Sequence, residues 1–164
     1  MKKIALLFAF VSLICLSFKS NAQITVPGTT DVIQAGGRIG VNERVYSSNR
    51  QYFLTYQDDS NLCLYKVGMS QALWSSGSVH SAPMYALFDQ YMNIIIYAAG
   101  GEIWRTNGGA QAAIPPGPGG PYFYWVVQND GNFVVYYNIP GFPADSKSTN
   151  TAGGVVTKHN HQIR

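Results

Sequence analysis

Two stretches of the chain carry the same kinds of side chain at alternate positions. Each combines carboxamide, carboxylate and phenol groups with one small apolar residue; the two sets are Gln128, Asp130, Asn132, Val134 and Tyr136, and Gln57, Asp59, Asn61, Cys63 and Tyr65. These groups both donate and accept hydrogen bonds, and this mixture suits hydroxyl pairs that do the same. Asp and Asn are also common turn residues. However, the match at five alternating positions, with Gln and Tyr beyond the turn, favours a binding site for a small polyol.

The two stretches are part of a threefold internal repeat. Residues 52–65, 84–97 and 123–136 align without gaps, and each segment ends in Tyr with Asn four residues before it. Units of this kind are expected to share one core, because a single unit cannot bury its apolar face alone. The longer spacing before the third segment matches a Pro/Gly-rich insertion at residues 114–120, where no regular structure is predicted.

Each segment alternates in polarity with a period of two, which is the pattern of a half-buried strand. The residues of the predicted core-facing parity are Tyr52, Leu54, Tyr56, Leu62, Leu64, Met84, Ala86, Phe88, Ile94, Ile96, Phe123, Trp125, Val127, Phe133 and Val135. Turn-forming residues at 58–61 and 129–132 indicate that each segment is a hairpin. Trp74 and Trp104 predict a further strand after the first two hairpins, and Asp145 takes the Trp place after the third. We therefore predict an all-β fold of three similar sheets closed around a threefold pseudo-axis.

Residues 1–22 have the anatomy of a secretory signal peptide. A short cationic start precedes an almost wholly apolar run at residues 4–18, and the small residues Ser20 and Ala22 offer a cleavage site. A membrane anchor is the alternative, but a run of about 15 residues is shorter than the roughly 20 that span a bilayer. We expect residues 23–164 to form the mature domain, exported to a periplasm or to the cell exterior and without a membrane span.

Charge and cysteine content argue against nucleic-acid binding and against an internal disulfide in the mature domain. The formal net charge of +3 equals the contribution of Lys2, Lys3 and Lys19, which are removed with the signal peptide. A neutral domain without a basic run is poorly suited to nucleic acid. Cys15 is removed as well, so that Cys63 remains alone and cannot form an internal disulfide. The 13% aromatic and 12% charged residues instead fit a packed domain with an uncharged ligand.

The repeated motif resembles the sugar-binding motif Gln-x-Asp-x-Asn-x-Val-x-Tyr of the bulb-type, mannose-specific lectins first known from monocot plants. Residues 128–136 match it in full, and residues 57–65 match it except at Cys63; the resemblance covers roughly residues 32–145. It implies a β-prism of three four-stranded antiparallel sheets and shallow sites for terminal α-mannose that use no metal or other cofactor. It also implies a homodimer formed by exchange of a C-terminal strand, for which residues 154–157 of the polar tail are the candidate.

The resemblance further assigns a role to each motif residue. It implies that Asp130 and Asn132 hold the axial 2-hydroxyl of mannose, which glucose lacks. Gln128 would then hold the 3-hydroxyl and Tyr136 the 4-hydroxyl, while Val134 packs on the C3–C4 edge of the ring. The corresponding residues of the first repeat would act in the same way.

The second repeat departs from the motif. Asp89 replaces the Gln and Tyr91 replaces the Asp. The motif residues that this repeat keeps are Asn93, Ile95 and Tyr97. We expect this degenerate site to be inactive or changed in specificity. In the third repeat, the absence of a Trp after the hairpin leaves a gap near the axis that Trp125 is expected to fill.

Alternative functions stay open at this stage. The prism could be a protein-interaction or surface-structural module that has lost sugar binding, or a lectin-like bacteriocin. An enzyme is disfavoured because adjacent residues on a strand point to opposite faces, so that Asp58 and Asp59 would form the carboxylate pair of a glycosidase only if the turn brought them together. A metal site at His159 and His161 is also disfavoured, since no third ligand has a suitable spacing.

Overall fold

The computed structural model describes residues 31–106, 123–137 and 145–151, which form strands and turns without a helix. The strands are β1 (Val32–Gln34), β2 (Arg38–Gly40), β3 (Arg44–Tyr46), β4 (Tyr52–Tyr56), β5 (Leu62–Lys66), β6 (Trp74–Ser75), β7 (Pro83–Phe88), β8 (Ile94–Ala98), β9 (Gly101–Arg105), β10 (Phe123–Val127), β11 (Phe133–Tyr137) and β12 (Asp145–Ser148). No segment in these ranges is a helix long and apolar enough to cross a membrane. The predicted signal peptide, the 114–120 insertion and the tail with its two histidines lie outside the described residues.

Three four-stranded antiparallel sheets, each built on one repeat, make up this fold. Their strand orders are β3-β4-β5-β6, β2-β7-β8-β9 and β1-β10-β11-β12. The two central strands of each sheet are the predicted hairpin of one repeat, and the strand that follows the hairpin forms one edge. The opposite edge always comes from residues 32–46, because β3, β2 and β1 pair with β4, β7 and β10 respectively. The predicted all-β architecture of three four-stranded sheets is therefore confirmed.

The core-facing side chains of the three hairpins pack together in one hydrophobic core. The described side chains of this core-facing parity are buried with a single exception, and Leu54, Ile94 and Trp125 have no accessible surface. Burial of a large apolar side chain contributes about 1.5–3 kcal/mol. Trp125 packs edge-on against Phe88 of the second repeat, with ring centroids 5.3 Å apart. Trp125 of the third hairpin is thus buried in the common core, as its place on the core-facing parity predicts.

Two positions differ from the prediction. Met84 is the exception in the core parity, with 50% of its surface exposed, because a bulge at the start of β7 shifts the register and turns this side chain outward. Lys147, and not Asp145, occupies the position of Trp74 and Trp104, since β12 pairs with β11 two residues further along the chain than expected.

The three hairpins turn through the same left-handed position. Ser60, Met92 and Gly131 have φ angles of 66°, 65° and 89°. At Gly131 a glycine is required for a second reason, because a Cβ atom there would lie 2.5 Å from the Tyr52 ring. Tyr52 belongs to the first repeat and is 4% exposed, so that the third hairpin turn packs directly on a neighbouring sheet.

Ser60 combines its left-handed backbone with a buried hydroxyl that has no hydrogen-bond partner in the described part of the chain. Replacing Ser60 by Gly should raise the free energy of unfolding by about 1–2 kcal/mol, because the change relieves backbone strain and removes an unsatisfied polar group. Urea denaturation followed by tryptophan fluorescence measures the gain. Ser60→Ala removes only the hydroxyl and should recover part of it. A loss of stability in Ser60→Gly would contradict this account.

Candidate functional site

The turn of the third hairpin brings its five motif residues together on the outer face of the sheet. The backbone N–H of Gln128 donates to the carbonyl of Asn132 at 2.8 Å, and the N–H of Gly131 donates back to the carbonyl of Gln128 at 3.1 Å. The Gln128 amide Nε2 donates to the Tyr136 hydroxyl at 2.5 Å. Gln and Tyr therefore form one edge of the site, with Asp130 and Asn132 beside them in the turn.

The first repeat builds the same arrangement. The backbone N–H of Gln57 donates to the carbonyl of Asn61 at 2.9 Å, and its amide Nε2 donates to the Tyr65 hydroxyl at 3.2 Å. The Cys63 thiol donates to Gln57 Oε1 at 3.0 Å. Cys63 and its counterpart Val134 are only 2% and 3% exposed, so that in both sites the small apolar residue is buried.

Each intact site keeps one carboxylate oxygen open. Asp59 Oδ1 accepts from the Asn61 backbone N–H at 3.0 Å, and Asp130 Oδ1 accepts from the Asn132 backbone N–H at 2.9 Å. The second oxygen of each carboxylate has no protein hydrogen bond among the described residues, and both side chains are exposed. One oxygen thus fixes the turn while the other can accept from a ligand hydroxyl.

The motif asparagines are oriented by hydroxyl residues that sequence reasoning missed. Asn61 Oδ1 accepts from the Ser76 hydroxyl at 3.0 Å, and Asn132 Oδ1 accepts from the Thr149 hydroxyl at 3.1 Å. Because the amide oxygens are occupied, the amide N–H groups remain as donors toward the ligand side. A ligand hydroxyl can therefore accept from the Asn and donate to the Asp in the same site.

A second layer of hydroxyls fixes these residues in turn. Ser76 Oγ lies 2.7 Å from Ser78 Oγ, which donates to the Ser60 carbonyl. Thr149 Oγ1 lies 2.8 Å from Thr151 Oγ1 in the third repeat, and that hydroxyl reaches an equivalent carbonyl. In the first two repeats a hydroxyl residue follows the Trp by two residues, at Ser76 and Thr106. Thr149 of the third repeat fits this spacing only once the strand pairing places Lys147 in the Trp position.

In the second repeat, hydrogen bonds within the protein occupy a carboxylate and an amide of the kind that the other two repeats leave available to a ligand. Asp89, in the Gln position, accepts from the backbone N–H of Tyr91 and of Asn93, each at 2.8 Å. Its other oxygen accepts from the Asn93 side-chain amide at 2.9 Å. Asn93 is 7% exposed, so that no acceptor and donor pair faces outward as it does in the intact sites.

The third site is also clamped from the neighbouring sheet. Asn129 Oδ1 accepts from the Ser48 hydroxyl at 3.0 Å and from the Asn49 backbone N–H at 2.8 Å. The Asn49 side-chain amide donates to the Asn129 carbonyl at 3.0 Å. Together with the Tyr52 ring under Gly131, these bonds make the loop between β3 and β4 part of the support of the third site.

Burial keeps the Cys63 thiol neutral. Desolvation raises the pKa of Cys63 from 9.0 to about 12, and it also raises the pKa of Tyr65, to which the neighbouring thiol adds. The neutral thiol retains the proton that it donates to Gln57. Among the described residues, no three His, Cys, Asp or Glu side chains are arranged to hold a metal ion. The site therefore offers neutral hydrogen-bonding groups and one carboxylate.

The raised pKa of Cys63 predicts slow alkylation and a loss of stability at high pH. At pH 8 the folded thiol should react with iodoacetamide about a thousandfold more slowly than an ordinary cysteine, because its thiolate fraction is lower by that factor. Since the folded pKa is raised, the stabilisation is complete below pH 9 and is lost as the pH rises toward 12.

Peptide mass spectrometry that separates Cys63 from Cys15 gives the alkylation rate. Urea denaturation between pH 8 and pH 11 gives the stability, and Cys63→Val is the matched control because it removes the thiol and keeps the tyrosines. Rapid labelling of Cys63 in the folded chain, or an identical pH profile in the two chains, would contradict the assignment.

Comparison with solved structures shows that lectins are similar to this chain in fold. The chain matches no protein-family model and no curated protein. A lectin from Marasmius oreades is similar in structure, with 27% identity, a TM-score of 0.56, and coverage of 80% of this chain and 97% of that one. For a monocot mannose-binding lectin from Gastrodia elata the identity is 24%, the TM-score 0.56, and the coverage 75% and 99%.

The mannose-specific agglutinin of snowdrop, Galanthus nivalis, solved with methyl-α-D-mannoside, is 18% identical with a TM-score of 0.53, and the match covers 70% of this chain and 98% of the agglutinin. All three likenesses extend over nearly the whole of the other chain. The chain thus resembles the bulb-type, monocot-type mannose-binding lectins in structure as well as in its repeated motif, and it has their β-prism fold.

Proposed function

We propose that the protein is a secreted lectin that binds terminal α-mannose, or glycans that contain it, at the first and third repeats and without a metal. One observation carries the proposal: in both repeats, one Asp carboxylate oxygen and the side-chain N–H groups of the motif Asn have no hydrogen bond among the described residues, whereas in the second repeat the carboxylate and the amide bind each other. The similar structures whose names include mannose binding support the same ligand class.

The open pair suits a hydroxyl that donates and accepts at once. In the third site, Asn132 would donate to the axial 2-hydroxyl of mannose and Asp130 would accept from it. The joined Gln128 and Tyr136 side chains would receive the 3- and 4-hydroxyls. Glucose has an equatorial 2-hydroxyl and would lose this hydrogen bond, which contributes about 1.5–3 kcal/mol when the acceptor is charged. Recognition of this kind needs no bond to break, and we propose no catalytic activity.

A single site of this kind binds weakly. Four hydrogen bonds that each contribute a net of about 1 kcal/mol correspond to a Kd of about 1 mM. Two sites on one prism, doubled in a homodimer, would raise the avidity for a surface that displays many mannose residues. The biological ligand is therefore expected to be a multivalent glycan and not a free monosaccharide.

Calorimetric titration with methyl α-mannoside tests the proposal. We expect two sites per chain, a Kd near the millimolar range, and at least tenfold weaker binding of methyl α-glucoside. A glycan array with the exported chain extends the test to multivalent ligands. Absence of binding to every mannoside, in titration and on the array, would contradict the proposal. N-terminal sequencing of the secreted product tests the cleavage after residue 22.

The closed second repeat favours a second candidate, a protein-interaction module on the same prism. Its outer face holds Asp89 and Asn93 in a bond to each other, and a partner protein could bind there without any sugar. If a partner protein is captured equally well after Asp59 and Asp130 are both replaced, this result would favour the interaction module. Capture that requires those two residues would favour the lectin.

A further inference from the structure

A groove adjoins the first site on the outer face of the sheet β3-β4-β5-β6. Its volume is about 180 Å³, and its lining residues are Asn42, Arg44, Phe53, Thr55, Gln57, Tyr65 and Met69. Gln57 and Tyr65 belong to the first site, where they are hydrogen-bonded to each other at 3.2 Å. The groove therefore continues the site on the side of these two residues, and a substituent next to them would enter it.

Arg44 gives this groove an open positive charge. Its guanidinium carbon lies 4.7 Å from the centroid of the Phe53 ring, and its Nη1 donates to the Tyr46 hydroxyl at 3.4 Å. Glu43 is turned away and accepts from the Gly40 backbone N–H at 2.7 Å. Arg44 forms no ion pair with a carboxylate in the described part of the chain. Stacking on an aromatic ring orients the planar guanidinium before any ligand arrives.

The third site lacks this feature. In the first sheet Arg44 pairs with Thr55 across β3 and β4, and in the third sheet the same register pairs Val32 with Val126. The outer face beside the third site therefore carries two valines where the first site has a guanidinium and a hydroxyl. The two intact sites share their motif and differ in what lies next to it.

We propose that the first site selects mannose that carries an anionic group, a sulfate ester or the carboxylate of a linked uronic acid, and that Arg44 pairs with this group in the groove. The inference rests on the proposed function, because it extends the same sugar site. A planar guanidinium pairs well with carboxylate and sulfate oxygens. Asp59 faces the same region, since its charge acts on Tyr65, and it opposes the anion. The gain is therefore modest and sensitive to salt.

Titrations of the full chain that isolate one site at a time test this inference. Asp130→Asn silences the third site, and in this background methyl α-mannoside, its 3-O-sulfate and its 3-O-glucuronosyl derivative are compared. We expect at least one anionic probe to bind about fivefold tighter than the neutral mannoside at low salt. The probe that shows the gain identifies the anion. Arg44→Gln should remove the gain and leave the neutral mannoside unchanged.

The reverse background, Asp59→Asn, reports only the third site and should show no gain for either probe. Equal affinities of all probes at the first site, or a gain that survives Arg44→Gln, would overturn the inference while the lectin function stands. Binding of an anionic probe through Arg44, without binding of the neutral mannoside, would support the inference. It would overturn the proposal that the first site binds neutral mannose. Failure of every probe would overturn both.

Discussion

Replacing Asp59 and Asp130 together by Asn should abolish mannoside binding and leave the fold intact. In each site one carboxylate oxygen accepts from the backbone N–H of the motif asparagine at about 3 Å, and an Asn side chain keeps that acceptor. The other oxygen becomes an N–H₂ donor that faces the donor of Asn61 or Asn132. Loss of a hydrogen bond to a charged acceptor costs about 1.5–3 kcal/mol, which moves a millimolar Kd beyond detection.

Single variants separate the two sites. Asp59→Asn and Asp130→Asn should each halve the number of binding sites in a calorimetric titration, and the remaining site should keep its affinity. A matched control is Asp58→Asn, which lies next to the motif, is exposed and should change nothing. Urea denaturation should give a free energy of unfolding within about 0.5 kcal/mol of the original chain for all of these variants. Binding that persists in the folded double variant would disprove the proposed role of the carboxylates.

Replacing Gly131 by Ala should destabilise the protein by about 2–5 kcal/mol and remove the third site. The left-handed backbone, with φ at 89°, costs a non-glycine residue about 1–2 kcal/mol. The new Cβ would also lie 2.5 Å from Tyr52 Cε1, and overpacking of a buried contact costs about 1–3 kcal/mol more. Because Asp130 precedes this residue, a shifted turn would move the carboxylate out of the site.

Gly68→Ala is the matched control for this prediction. Gly68 has a φ of 85°, nearly that of Gly131, and nothing lies within 4 Å of its Cβ position. Its replacement should therefore lower the free energy of unfolding only by the backbone strain, about 1 kcal/mol. A mannoside titration should still show two binding sites. The difference between the two variants measures the contact with Tyr52. Equal losses of stability would show that this contact contributes nothing.

The hairpins and the core could be predicted because strand polarity has a strict period of two. Alternation placed Leu54 and Trp125 inside, and both are fully buried. It placed the motif on the opposite face, where Asp59 and Asp130 are exposed. The pattern could not show Met84 leaving the core, since a bulge changes the register without changing the residues. Strands of only three residues, such as β1, are too short for periodicity to identify.

The motif residues of the candidate site were also visible in the sequence, but their support was not. The bonds from Ser76 to Asn61 and from Thr149 to Asn132 connect residues 15 and 17 positions apart. These contacts cannot be predicted from sequence separation, because they depend on how the edge strand pairs with the hairpin. The sequence likewise predicted an inactive or changed site in the second repeat only because motif residues are replaced there. The structure adds the physical reason, which is that the Asp89 carboxylate accepts hydrogen bonds from both the backbone N–H and the side-chain amide of Asn93.

The edge strands from residues 32–46 set an order for folding. Tyr46 pairs with Phe53, close by in sequence, whereas Val32 pairs with Val126, more than 90 residues away. Contacts between distant parts of a chain form slowly, because a long loop must close first. The strand pairs of the first sheet can therefore form before β1 pairs with the last hairpin. During refolding, the turn that carries the first site should accordingly form earlier than the edge of the sheet that carries the third.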